Sequence, residues 1–380
     1  MSSAEELRDW ATSGAMWLTG RSAGPPVVPP GRGATTVRES LATLGPGVPA
    51  IPGLLGERAA HAGLGRNAPW SCGGAFRTLA AADGWVGLSL ARPTDIELLP
   101  ALVEGPVGPD PWAAVAEWAG TRSAGDAQDR LRLLGLPGGR VPDTPPDDRP
   151  GVLEAVLGRR TVVDRPLVVD FTSLWAGPLC AHLLGLTGAC VVKVESVQRP
   201  DGARSGPPEF FRILHDDHDQ LVLDFATELD RLHDLVASAD LVLEASRPRA
   251  LQQLGLIAED VVAAGTSWLS ITARGRSSDA VGFGDDVAAS AGLVHVDDGT
   301  PVPVGDAIAD PLSGVAAAVA GRAALDSEDA RLIDVSMLHV AAETVRPPAS
   351  RVDHHVRLRD GEWWLDTAED VVRVERPRTR

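Results

Sequence analysis

Five short apolar runs constrain this chain more than any other feature: "PLVVDF" (166–171), "CVVKVE" (190–195), "QLVLDF" (220–225), "DLVLEA" (240–245) and "SWLSIT" (267–272). Each is too short for a helix and is continuous in its apolar core, as expected of strands covered on both faces of a parallel sheet. Helical spacing fills the intervals. "AGPLCAHLLGLTG" sets Cys180, Leu183 and Leu184 on one face after Gly177 and Pro178. "TELDRLHDLVASA" is amphipathic, and a short helix is expected near "RALQQLG". Strand and helix alternate, which predicts an α/β fold built on a doubly wound parallel sheet. A helix over 307–325, rich in small side chains that admit a neighbouring backbone, and a strand at "RLIDVSM" complete the series.

The Pro/Gly/Asp-dense stretch 137–151 reads as a linker, so the main boundary is expected there. This gives a smaller α+β domain over 1–150, a larger one over 151–345 and an extension over 346–380. Asp83-Gly84 and the "RDGE" of "VRLRDGEWWLDT" mark two hairpins, and "DPWAAVAEWAG" marks a helix. The segment 11–31 echoes 288–306, with Gly31 where the later copy has Asp306, so only the later copy carries the carboxylate.

A net charge of −17 repels phosphate backbones and anionic lipids, which argues against nucleic-acid and membrane partners. Three cysteines without metal-type spacing suit a reducing compartment, and neither a signal peptide nor an apolar stretch of the roughly 18 residues that span a bilayer is evident. A cytoplasmic location is therefore expected. His215, His218, His354 and His355 lack ligand spacing and are expected to face solvent as turn residues, with no metal. No G-x-G-x-x-G fingerprint, P-loop or G-x-S-x-G elbow is present.

"VVDFTSLWAGPLCAHLLGLTGACVVKVESVQRPDGAR", "FFRILH", "LVLDFAT", "ADLVLEASRPRALQQLGL", "PVGDAIADPLSG" and "RLIDVSM" together resemble family III CoA-transferases, a group that includes α-methylacyl-CoA racemases. The likeness runs from about 163 to 340. It is looser from about 55 to 140, where "ADGWVGLSLARP" resembles a stretch that follows the large domain in the family, so segment order is permuted or duplicated. The resemblance implies a Rossmann-like fold, coenzyme A or acyl-CoA as substrate with no tightly bound cofactor, a small carboxylic acid as second substrate and an interlocked homodimer.

It also implies roles for particular residues. Asp306 matches the catalytic aspartate; a carboxylate can attack a thioester carbonyl to give a mixed anhydride, and an aspartate there also suits a helix N-cap. Asp310 would share a helix face with it, or be a solvated first-turn acid. Leu174, Trp175 and Ala176 would lie against CoA, although a tryptophan equally suits a core. Lys193, the single lysine among 35 basic residues, shares a strand face with Glu195; the two suit either the coenzyme site or a mutual ion pair. Arg199, Arg204, Arg247 and Arg249 offer forked donors to CoA phosphates or are surface arginines, with Ala245 and Ser246 close to the coenzyme. Ser71, Cys72, Gly73 and Gly74 resemble a loop over the acyl site, or form a plain turn.

Two departures matter. "HDDHDQ" (215–220) replaces a basic family motif, and Gly284-Asp285-Asp286 stands where racemases carry a histidine as acid/base. Transfer of CoA is thus expected ahead of racemisation, and a non-catalytic acyl-CoA-binding paralogue or partner subunit is a third reading.

Overall fold

Residues 166–345 fold as the apolar runs require. The computed structural model describes residues 3–51, 53–245, 249–345 and 353–379. In chain order, β1 (Phe76–Ala81), β2 (Gly84–Ser89) and β3 (Gly138–Val141) form a small antiparallel sheet. The main sheet takes β4 (Val152–Arg159), β5 (Leu167–Asp170), β6 (Cys190–Ser196), β7 (Asp219–Leu223), β8 (Leu241–Glu244), β9 (Ser267–Thr272) and β12 (Asp329–Ser336). Between the last two, β10 (Val294–Asp297) and β11 (Thr300–Pro303) make a hairpin, and β13 (His354–Arg359), β14 (Glu362–Thr367) and β15 (Val371–Arg373) close the chain.

The main sheet runs β4-β12-β9-β8-β5-β6-β7, parallel throughout except for β4 on its edge. Successive side chains of β5 enter opposite cores, as the two-residue period of a strand demands. Val168 packs with helices Ala176–Leu186 and Ala309–Leu325, whereas Val169 packs with Leu229–Ser238 and Ala258–Ala263. Helices on both faces make the sheet doubly wound. The chain moves outward from β5 through β6 to β7 and then returns to β8 on the other side of β5. That reversal opens a crevice at the carboxyl ends of β5 and β8, where open sheets of this kind bind ligands.

Several expectations need correcting. The stretch 137–151 contains β3, which pairs with β2, so the irregular segment is shorter than its composition suggests. The first hairpin pairs Ala81 with Gly84, placing its two-residue turn at Ala82-Asp83; the last pairs Arg359 with Glu362 around Asp360-Gly361. His215 and His218 are buried with their Nδ1 atoms 3.2 Å apart, because the amphipathic helix Pro208–His215 turns His215 inward and the turn that follows folds His218 back onto it; His354 and His355 are exposed. Packing also cuts across the boundary expected near residue 150. Leu7, Trp10, Val37, Leu41, Leu54 and Leu55 share a core with Leu179, Leu312 and Val315, while residues 79–136 form a separate apolar cluster. The last strands join the larger body through Leu365 and Val374.

The echoed segments fold differently: 288–306 includes the β10–β11 hairpin, whereas 19–31 has no strand. They meet, however. Thr19 Oγ1 accepts a hydrogen bond from Gly305 N at 2.9 Å, and Ala15 lies beneath Gly305.

Candidate functional site

Asp306 precedes helix Ala309–Leu325 without being part of it. The helix begins two residues later than expected, with Ile308 at the N-cap position, so Asp306 neither caps it nor shares a face with Asp310. Gly305 (φ 63°) and Ala307 (φ 44°) flank it in left-handed conformations. For alanine that geometry is costly and persists only where surrounding contacts enforce it. Here Asp285 Oδ1 accepts the Ala307 N–H at 2.9 Å. Gly284 allows the approach, since a Cβ there would lie 2.2 Å from Ala307 O and 2.7 Å from Asp310 Oδ2.

The Asp306 side chain is 0% exposed. Its Oδ1 is held by Arg58 Nη2, and its Oδ2 has no hydrogen-bond partner among the described residues. Arg58 belongs to the short helix Glu57–Ala62 and reaches inward from a 32% exposed position, with its guanidinium 5.6 Å from the centre of the Trp175 ring. Burial pushes the Asp306 carboxyl above its usual range while Arg58 pulls the other way. Burial also pushes Asp285 up to about 6, with the Asp306 charge adding to the effect, and Asp310 up to about 7. One guanidinium thus faces three carboxyl groups whose desolvation disfavours more than one negative charge. Neither of the two described cavities, of about 420 and 330 Å³, touches Asp306.

The loop Ser71–Gly74 stands over this cluster. Cys72 Sγ lies 3.2 Å from Gly305 O, Ser71 is buried with its Oγ accepting the Phe76 N–H at 3.2 Å, and Gly73 and Gly74 are exposed.

At the switch point the residues separate by role. Leu174 is 43% exposed with φ 72°, and Ala245 is also exposed. Trp175 and Ala176 are buried; Trp175 packs edge-on to Phe210 at 5.6 Å, so its indole belongs to the core and offers no free face for an adenine. Lys193 is fully buried and bonded to Thr172 O, with Asp201 Oδ2 at 3.0 Å and Asp170 Oδ2 at 3.7 Å. It reaches no surface where a phosphate could sit, and it does not pair with Glu195. Asp201 Oδ1 in turn accepts the Leu174 N–H at 2.9 Å, so the lysine fixes the turn instead of meeting ligand. Glu195 grips Arg204, Nη2 to Oε1 at 2.5 Å, and the guanidinium lies 4.1 Å from the centre of the Phe211 ring. Arg199 is exposed. Ser246 and Arg247 lie outside the described residues, as does the side chain of Arg249.

Sequence inspection missed Arg58, because a lone arginine in "GERAAH", 248 residues from Asp306, carries no motif. Asp285 was visible only as the place where a histidine is absent. Among the described residues no group of His, Cys, Asp and Glu is arranged for a metal, and no helix is long and apolar enough to cross a membrane.

Sheet, switch-point loops and a buried aspartate beside them define an α/β protein of the doubly wound class. The sequence profile of CoA-transferase family III matches residues 166–360, just over half of the chain, and the chain belongs to that family. The succinyl-CoA:glutarate CoA-transferase of Mus musculus is 30% identical over 165 residues, 39% of this chain and 38% of that protein. The succinyl-CoA–D-citramalate CoA-transferase of Chloroflexus aurantiacus is 27% identical over 224 residues, 52% of this chain and 56% of that protein. A CaiB/BaiF family protein from Brucella suis, solved by crystallography, is 25% identical with a TM-score of 0.44, covering 49% of this chain and 55% of its own. The chain thus spans only about two fifths to just over half of these relatives' lengths.

Proposed function

We propose that this protein moves coenzyme A between an acyl-CoA and a carboxylic acid, with Asp306 as covalent nucleophile. Family membership, together with a buried aspartate held between left-handed residues near the switch point, is the observation that carries the proposal. Asp306 would add to the thioester carbonyl and expel CoA thiolate, leaving a mixed anhydride. The thiolate would then attack the Asp306 carbonyl and release the donor's carboxylate, leaving CoA as a thioester on Asp306. An acceptor carboxylate reverses both steps, and Asp306 is regenerated. Leu174, Ala176 and Ala245 would line the coenzyme, Arg199, Arg204, Arg247 and Arg249 would meet its phosphates, and Ser71, Gly73 and Gly74 would cover the acyl group. A cytoplasmic homodimer fits the same proposal.

The test is incubation with a panel of acyl-CoA compounds plus hydroxylamine, followed by mass spectrometry of the Asp306 peptide. A hydroxamate is expected on Asp306 and none on an Asp306→Asn variant. An unmodified peptide across the panel, with CoA binding retained, supports the second reading, a binding paralogue. The full burial of Asp306 under Arg58 favours that reading.

A further inference from the structure

We propose that Arg58 is the binding residue for the acceptor carboxylate, masked by Asp306 in the resting protein and released whenever Asp306 is acylated. The proposal rests on covalent chemistry at Asp306 and adds to it the order of events. In the resting state Arg58 Nη2 is held by Asp306 Oδ1, and Arg58 acts on the charges of Asp285 and Asp310 as well. Arg58 Nε is buried and has no hydrogen-bond partner among the described residues, as is true of Asp306 Oδ2 and Trp175 Nε1. A buried polar atom without a partner calls for an explanation, and here three of them converge around one guanidinium, which leaves it donor capacity that Asp306 does not use. The arginine also has an outward path that its resting partner lacks, being 32% exposed where Asp306 is 0%.

Acylation changes the charge balance. When Asp306 Oδ attacks the donor thioester, a C–O bond forms, the C–S bond breaks, and the negative charge leaves on CoA sulfur. As anhydride or as thioester, residue 306 is neutral, so Arg58 is left without its resting counter-charge. Asp285 and Asp310 replace it poorly, because the burial that surrounds them opposes their ionisation. An incoming carboxylate restores neutrality, and its two oxygens can take both Nη2, which Asp306 Oδ1 holds at rest, and the unpartnered Nε. Its oxygen adds to the Asp306 carbonyl, the C–S bond to CoA breaks, and thiolate then attacks the acceptor's own carbonyl. The second C–O cleavage returns the negative charge to Asp306, Arg58 recaptures it, and the new acyl-CoA leaves.

Two measurements test this. In the first, the acyl-CoA that labels Asp306 is mixed with its own isotopically labelled free acid and with hydroxylamine. Label entering acyl-CoA reports attack by an anion, and Asp306 hydroxamate reports attack by a neutral nucleophile on the same intermediates. Arg58→Gln should lower the ratio of label exchange to hydroxamate about 10- to 100-fold, as expected for losing one charged hydrogen-bond pair, and Arg58→Lys should restore part of it. An unchanged ratio overturns the proposal; absence of hydroxamate in the wild type overturns the covalent chemistry beneath it. In the second, calorimetry with acetate and succinate compares wild type with Asp306→Asn, which mimics the neutral acylated state. The variant should bind at least one of these anions about ten-fold or more tightly than wild type, and Asp306→Asn/Arg58→Gln should lose that gain. Equal binding by wild type and Asp306→Asn overturns the masking.

Discussion

At the scale of single residues, the acids around Arg58 and in the first turn of helix Gly284–Ser290 set a pH dependence. Asp286 accepts hydrogen bonds from Phe283 N at 2.9 Å and Ser89 Oγ at 2.8 Å, and burial pushes it up to about 7; Asp285 and Asp310 rise to about 6 and 7. Unfolded aspartates titrate near pH 4. Between about pH 4 and 7 the folded chain therefore holds protons that the unfolded chain has lost, so stability falls as pH rises through that window. His215 acts in the opposite sense. Burial lowers it to about 4, so the unfolded chain gains protons first and the stability His215 contributes disappears as pH falls below about 6.5. Above that point the acids dominate. Denaturant titrations should show stability declining from pH 6.5 to 8, and Asp286→Asn should flatten the decline and add on the order of 1 kcal/mol at pH 8. A wild-type stability that rises over this range would contradict the assignment of raised carboxyls.

At the scale of elements, helix Ala309–Leu325 shows why its small residues are where they are. A Cβ on Gly314 would stand 2.6 Å from Ala176 O and 3.1 Å from Leu179, so this helix lies against the backbone that opens helix Ala176–Leu186. Gly314→Ala gains up to about 1 kcal/mol of helix propensity and incurs about 1–3 kcal/mol of overpacking. The expected outcome is a lower denaturation midpoint, whereas Gly125→Ala, in helix Ala124–Leu134 with only Ser123 Oγ at 3.8 Å, should be neutral or stabilising. Equal effects at both sites would refute the packing argument. This helix and the strands β5, β6, β8 and β9 were legible in the sequence because burial on both faces leaves a largely apolar run, and β7, an exposed edge strand, was legible from its apolar "LVL" alone. β4 was not, since "VLEAVLGR" is a largely exposed edge strand whose faces carry no clean pattern. β3 hid for a related reason: "GGRV" holds its register by backbone pairing with β2. The candidate site divides the same way. Asp306, Leu174 and Ala245 follow regular elements and could be placed from them, while Arg58 and Asp285 reach Asp306 only through tertiary packing.

At the scale of the whole molecule, the first 57 residues belong to the CoA-transferase core despite lying before the stretch that looks like a linker. Helix Gly33–Thr43 packs on Ala309–Leu325 and on Met337–Thr344, and Val37, Leu41, Leu44, Leu54 and Leu55 are all buried in the shared core. At about 1.5–3 kcal/mol for each such side chain, these five alone rival the 5–15 kcal/mol that holds a typical domain folded. A fragment comprising residues 151–380 should therefore fail to fold cooperatively: it keeps all seven strands of the main sheet yet exposes the helix face that residues 7–55 cover. The expected signs are binding of a hydrophobic dye, weak near-ultraviolet dichroism and a broad thermal transition, against a single sharp transition for the full chain. Removing only residues 1–57 should give the same result, because the cluster of 79–136 packs its own core and cannot stand in for them. The fragment 151–380 also lacks Arg58, and removal of residues 1–57 takes Glu57, the first residue of the helix that carries it. A sharp transition from the fragment 151–380 would show instead that the sheet and its two helical layers are self-sufficient, and that the segment carrying Arg58 docks as a separable part.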